Sequence, residues 1–331
     1  MMMDFVEHGG REPYSFINSQ GSYYNFLNMV EPNLKYRLNK EEEIMLNFYS
    51  KEVLNGKRIE EGILLALLIA KEMTSFSEIC QITMKNFNYE ATYKTIESAV
   101  SLINGQFFND ADKKKYGLKE ILTIENSSPE NKKNIIRIDE KYKEKLGKEK
   151  MHFYLNDVIK YSMKNFDMNY NNEKYRNGFL LYKKYARKDV CRILNCEKDE
   201  SATIYGYRIK YNTCPIFVTY HKEESISGST KYEDGFINSK TFSWMTRNNV
   251  TMQSKEMLQL KEQYETGLRI PLFVKKSNGE GTDFYYMGDL DYKGSIQKTI
   301  KNDKGKELPI VNIVFNLQDE VEESIYHYFE G

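Results

Sequence analysis

LYKKYARKDVCRILNCEKDESATIYGYRIKYNTCPIFVTYHK, residues 181–222, sets a short basic and aromatic helix directly before a tyrosine-rich β-hairpin. The helix is expected over 182–192, where it presents Lys183, Lys184, Arg187, Lys188 and Arg192, offset only by Asp189. Such a cluster can grip several phosphates and fix register without reading sequence, or it can be an ordinary solvated face. In the strand that follows, alternation puts Tyr205, Tyr207, Ile209 and Tyr211 on one face and Ile204, Arg208 and Lys210 on the other. Three tyrosines on one face make either a barrel lining or a platform on which bases stack, and Ile209 among them leans toward the lining. Arg208 and Lys210 extend the basic surface.

Toward the C-terminus the pattern stays rich in strands. A strand-turn at TFSWMTRNN (241–249) and a helix at SKEMLQLKEQYE (254–265) lead into the strands RIPLFVKK (269–276), DFYYMGDL (283–290) and PIVNIVFNL (309–317). Sparse helices among many strands predict a β-barrel-like α+β domain over 171–331. Trp244 is the single tryptophan, flanked by Ser243, Thr246 and Arg247. A lone Trp is commonly a core residue, yet a base pocket needs one flat wall and a few placed hydrogen-bonding groups, which this turn could supply. Asp234, in KYEDGF, could accept from a cytosine amino group or simply occupy the turn before Gly235. On the pocket reading, Trp244→Ala and Tyr205→Ala should weaken nucleic-acid binding far more than they unfold the protein.

The N-terminal half reads differently. Residues 1–33 form a tail in which Gly9, Gly10 and Pro13 mark a turn before the short helix SYYNFLNM (22–29), and the opening MMMDFVEHGGREP reads as the interior of a longer chain. Apolar residues at helical spacing predict helices over 41–54 and 59–73, with acids in the first turns where they favour the helix dipole. A third helix opens at Ser75 as N-cap with Glu78 three residues on, and a fourth ends near Gly105. Residues 119–142 are two alternating β-runs joined by the turn-rich SSPENKKN. Helices followed by a hairpin give a winged-helix-like outline for 34–170, with 91–104 as recognition element and the hairpin as wing, or as a protein–protein spacer. A helix over 151–167 and the polar NYNNEKYRNG then lead into the second domain.

Composition bounds the function. At 331 residues two cores are expected. Lys plus Arg and Asp plus Glu balance at 48 each, so any nucleic-acid site must be local. Cys80, Cys191, Cys196 and Cys214 have neither CxxC nor Cys/His zinc spacing, which predicts reduced thiols and no metal. The longest apolar run, GILLALLIA, has nine residues, well short of the roughly 20 that cross a bilayer. No phosphate loop, dinucleotide fingerprint, HExxH or GxSxG occurs. The expectation is a chain that binds without catalysing and needs no cofactor, in the bacterial cytoplasm.

The segments YKKYARKDVCRILN, ESATIYGYRIKYNTCPIFVTYHK, TFSWMTRNN, GLRIPLFVKKSNGEGTDFYYMGDL and ELPIVNIVFNL resemble the C-terminal domain of unknown function 3427 of modification-dependent type IV restriction enzymes. The resemblance covers the second domain, and the N-terminal half looks like the coupler that joins helicase to tail in those enzymes. It implies a target-recognition domain of the SRA or PUA-like kind that captures a flipped 5-methylcytosine or 5-hydroxymethylcytosine in double-stranded DNA. Translocation and cleavage would belong to helicase and nuclease domains of the parent protein. Two other classes stay open: a protein–protein adaptor, and a reader of RNA or of another modified base.

Overall fold

The computed structural model describes residues 2, 17, 19–31, 33–126, 134–221, 234–302 and 304–330. The turns expected at 9–13 and within 127–133, and most of the polar loop at 225–234, lie outside them. The chain divides into two compact units: Met1–Tyr175 with Asn195–Asp199, and Arg176–Leu194 with Glu200–Gly331. The division thus falls between Tyr175 and Arg176, where the sequence places it near Tyr170.

The first unit is helical, with one small sheet. Its elements run α1 (Tyr23–Val30), α2 (Lys40–Glu52), α3 (Ile59–Ala70), β1 (Met73–Ser75), α4 (Phe76–Phe87), α5 (Tyr93–Ile103), α6 (Asp110–Tyr116), β2 (Leu122–Asn126), β3 (Asn134–Ile138), α7 (Glu140–Gly147) and α8 (Glu149–Asn169). Local chemistry sets the helix starts. Asn39 and Glu42 form a reciprocal capping box on α2, and Ser75 Oγ accepts from Glu78 N at 3.2 Å on α4. The three strands pair antiparallel in the order β1–β3–β2. The short β1 escapes periodicity because three residues are too few to alternate.

Gly56, in the turn after α2, packs against α8. Its φ is +63°, and a Cβ there would lie 2.3 Å from the Ser162 carbonyl oxygen. Gly56→Ala therefore meets both a disfavoured backbone conformation and a fixed carbonyl. A loss of about 2 kcal/mol or more is expected, read as a lower urea midpoint.

The second unit is built on one sheet. After β4 (Tyr175–Arg176), where the chain passes between units, come β5 (Phe179–Leu180), β6 (Lys184–Tyr185), α9 (Arg187–Ile193), a 3₁₀ turn at Ser201–Thr203, β7 (Ile216–Thr219), β8 (Gly235–Asn238) and β9 (Thr241–Met245). Two short helices, α10 (Lys255–Lys261) and α11 (Gln263–Thr266), precede β10 (Pro271–Lys275), β11 (Phe284–Lys301), β12 (Glu307–Leu317) and α12 (Glu323–Glu330). The strands follow the order β7–β10–β11–β12–β9–β8, with β6 also paired to β11. Among the described strands, β7 and β10 form the parallel pair. The sheet curls into half a barrel, an open form of the barrel expected from sequence.

Pleating gives this sheet two apolar faces. Ile216, Val218, Leu272, Val274 and Met287 join Trp244, Ile313 and Phe315 in the main core. Phe217, Phe273, Phe284 and Tyr286 point the other way and meet Phe179 and Tyr185 in a second, aromatic layer, with neighbouring ring centroids 5.0–6.5 Å apart.

Two expectations fail in this unit for one physical reason. The helix predicted over 182–192 is instead β6 followed by α9, because Tyr182 takes φ +64° and breaks the chain before Lys183. The strand predicted over 204–211 is irregular, because Gly206, Tyr211 and Asn212 all have positive φ. Left-handed residues turn the backbone out of the extended form, so period-two alternation is lost. Nothing in the residue pattern announces that β11 runs on from Leu290 to Lys301, or that α12 follows β12.

Candidate nucleic-acid interface

The predicted site residues separate into three places in the second unit. The first is centred on Arg187, at the start of α9. Its guanidinium carbon lies 5.1 Å from the Phe217 ring centroid and 4.7 Å from that of Phe284. Lys275, at the end of β10 and 8% exposed, holds Nζ 4.9 Å from the same Phe284 centroid and donates to the Gly281 carbonyl at 3.1 Å. Two cations thus share one ring. Arg187 Nε is buried without a hydrogen-bond partner, and among the described residues the Arg187 side chain has no ion pair.

Both groups register their burial, and Lys275 also registers the charge of its neighbour. Burial pulls Arg187 below its ordinary value. Burial, and then the charge of Arg187, pull Lys275 down, and Glu280 opposes them only weakly. Glu280 is itself engaged, accepting from Lys276 N at 2.8 Å and from the Tyr328 hydroxyl. Beside the pair, Lys184 Nζ sits 4.6 Å over Tyr285 and Lys276 Nζ 4.9 Å over Tyr328, a belt of cations on aromatic faces. Lys183 and Lys188 flank the belt, half-buried, whereas Arg192 faces inward and is 3% exposed. Arg192 therefore does not present itself on an open helix face as the sequence suggested.

The second place gathers Tyr207, Trp244 and Arg247 around Glu256, which sequence reasoning missed. Tyr207 donates its hydroxyl to Glu256 Oε2 at 2.8 Å, and Arg247 Nη2 donates to the same oxygen at 2.7 Å. Arg247 lies over the Tyr207 ring at 4.9 Å, and Tyr207 meets Trp244 edge-to-face at 4.7 Å. Burial and the Glu256 charge push the Tyr207 phenol well up. Trp244 is 3% exposed and Thr246 fully buried, its Oγ1 accepting from Val311 N at 3.0 Å. Ser243 Oγ accepts from Asn312 Nδ2 at 2.9 Å, and Asp234 Oδ1 from Met245 N at 2.8 Å. These side chains close the half-barrel core, and Trp244 offers no open face to a base.

The third place is the irregular segment before β7. Arg208 and Lys210 both pair with Glu200, at 3.1 and 2.5 Å, and the Tyr211 hydroxyl reaches the same carboxylate at 3.4 Å. The hydrogen bond to Glu200 pushes Lys210 up to about 12. Two predicted phosphate contacts are thus already answered within the chain. Arg208→Ala and Lys210→Ala are expected to change duplex affinity by less than about twofold, the scale of exposed ion pairs, in a direct binding titration. Tyr205, 82% exposed, remains the one predicted stacking residue with a free ring.

A basic, aromatic-backed surface on a curled sheet is what this unit presents. The chain belongs to the family described as Domain of unknown function (DUF8090), whose model matches residues 1–174; residues 179–329 match Domain of unknown function (DUF3427). No curated protein matches the chain. Among solved structures it is similar to the DNA modification-dependent restriction endonuclease AspBHI, at 13% identity and TM-score 0.27, over 35% of this chain and 34% of that one. It is also similar to the type IV phosphorothioation-dependent restriction endonuclease ScoMcrA, at 9% identity and TM-score 0.33, over 88% and 65%. For KRYPTONITE in complex with mCHG DNA the values are 12% and 0.27, over 44% and 33%. The chain thus spans about a third of the first of these and just under two thirds of the second.

Proposed function

We propose that this chain binds double-stranded DNA and recognises a modified cytosine, 5-methylcytosine or 5-hydroxymethylcytosine, flipped from the duplex. The observation that carries the DNA part is the Arg187–Lys275 pair, two cations on one aromatic ring with Arg187 lacking an ion pair among the described residues. Such a pair is held at a cost in the free protein, and a polyanion relieves it. The match of residues 179–329 to a family model, over the same segments that resemble a type IV target-recognition region, supports the modified-base part.

In this reading the second unit is an SRA-like reader. The order α3–β1–α4–α5–α6–β2–β3 and the sheet order β1–β3–β2 favour a winged-helix coupler in the first unit. The chain supplies recognition and neither cofactor nor catalytic group. Helicase and nuclease domains would act on what it marks, as in the staphylococcal enzyme SauUSI, which it resembles. No described helix is long and apolar enough to cross a membrane.

The test is the affinity of the chain for one short duplex in unmodified, 5-methylcytosine and 5-hydroxymethylcytosine forms at near-physiological salt. A preference of roughly tenfold or more for a modified form, the low end of what one buried carbon gives, is expected. Equal binding to all three would reduce the function to general DNA contact. No binding would favour a protein–protein adaptor.

A further inference from the structure

The pairing of β10 with β11 ends at Asp289, and that of β9 with β12 ends at Asn312. The segment after β9 keeps β12 in the sheet as far as Pro309, with Thr246 N bonding Val311 O at 2.9 Å and Asn249 N bonding Pro309 O at 2.8 Å. Past Pro309, and Thr299 opposite it, β11 and β12 continue as a short two-stranded ribbon. The two strands pair on through Lys298↔Ile310, Ile300↔Leu308 and Lys301↔Glu307. The ribbon closes in a tight turn, where Asn302 N bonds Lys306 O at 2.9 Å, Gly305 N bonds Asn302 O at 2.8 Å, and Gly305 takes φ +75°.

Its charge departs from that of the chain. Residues 293–309 hold five lysines against two acids, whereas the whole chain balances 48 against 48. Lys293, Lys298, Lys301, Lys304 and Lys306 are all exposed, and among the described residues none has an ion pair. Their placement is as informative as their number. Lys298 and Lys306 fall on one face of the strand pair, Lys301 on the other, and Lys304 in the turn. A ribbon lying flat on a charged surface would need lysines on one face only. Lysines on both faces suit a slot with phosphates on both walls, and the major groove of B-DNA admits a two-stranded ribbon.

We propose that the β11–β12 ribbon is a DNA-gripping arm that enters a groove of the duplex and contacts phosphates on both strands, independently of any modification. The arm rests on the reading of the chain as a DNA-binding protein, and it adds affinity without adding base specificity.

The experiment replaces Lys298, Lys301, Lys304 and Lys306 by Gln in the full chain. Affinity for unmodified and modified duplexes is then measured across a salt series, with thermal unfolding as the control for folding. The expected result is a fall of about tenfold or more on both duplexes with their ratio unchanged. The salt slope should also be shallower by about 0.9 for each phosphate that the variant no longer neutralises. A second variant, Lys304→Glu in the turn, should move both readouts the same way with the sheet untouched. If the parent binds DNA and the variants bind with the same affinity and slope, the arm is overturned while the DNA reading stands. If the parent binds no duplex, both fall together.

Discussion

Lys275→Met is expected to leave the protein at least as stable as the parent while lowering its affinity for every duplex by about tenfold, a difference of about 1.4 kcal/mol. Met keeps the length and apolar packing of the lysine stem on Phe284 and removes a buried charge held close to Arg187. Replacing a buried cation beside a like charge relieves desolvation and repulsion together, the reverse of what loss of a structural ion pair would do. Stability would be read by chemical unfolding and affinity by titration, both at fixed salt. A large loss of stability would make Lys275 a structural residue, and unchanged affinity would remove it from the interface.

The same residue has a pH signature with a definite sign. The folded-state value of Lys275 lies below 10.5, so between that value and 10.5 the unfolded chain binds more protons than the folded one. Stability contributed by this site therefore rises with pH across that window. Phenols such as Tyr207, whose ionisation burial opposes, act in the other direction above 10. The difference between parent and Lys275→Met isolates the lysine: the parent should gain on the variant as pH climbs toward 10.5.

Trp244→Ala carries the largest expected effect on folding. The indole is 3% exposed, set edge-to-face on Tyr207 and tilted on Phe315 at 6.1 Å. Removing a buried indole costs about 3–5 kcal/mol in transfer and cavity terms. For a unit of this size that lowers the melting temperature by about 10 °C or more. The sequence pointed the opposite way, toward weakened binding with the fold intact. Tyr205→Ala provides the contrast: with its ring 82% exposed, its removal should leave the melting temperature within about 1 °C, so any fall in affinity reports a direct contact. A Trp244 variant that melts normally would reopen the question of a base wall at that position.

Local information alone determined much of this protein. Apolar spacing and capping chemistry set α2–α5 and α8, as Asn39 with Glu42 and Ser75 with Glu78 illustrate. The runs RIPLFVKK and PIVNIVFNL read as the strands that became β10 and β12, and balanced charge required any DNA surface to be a patch. What the tertiary structure decided depends on contacts between residues far apart in the chain. Tyr182 and Tyr211 adopt left-handed backbone that nothing in a tyrosine announces, and this undid the predicted helix and strand. Glu200 and Glu256 took up the charges of Arg208, Lys210 and Arg247 through pairings no periodicity encodes. Sheet register turned Trp244 inward. It also placed Lys275 beside Arg187 on Phe284, because burial and charge neighbourhood belong to the assembled sheet and not to any one strand.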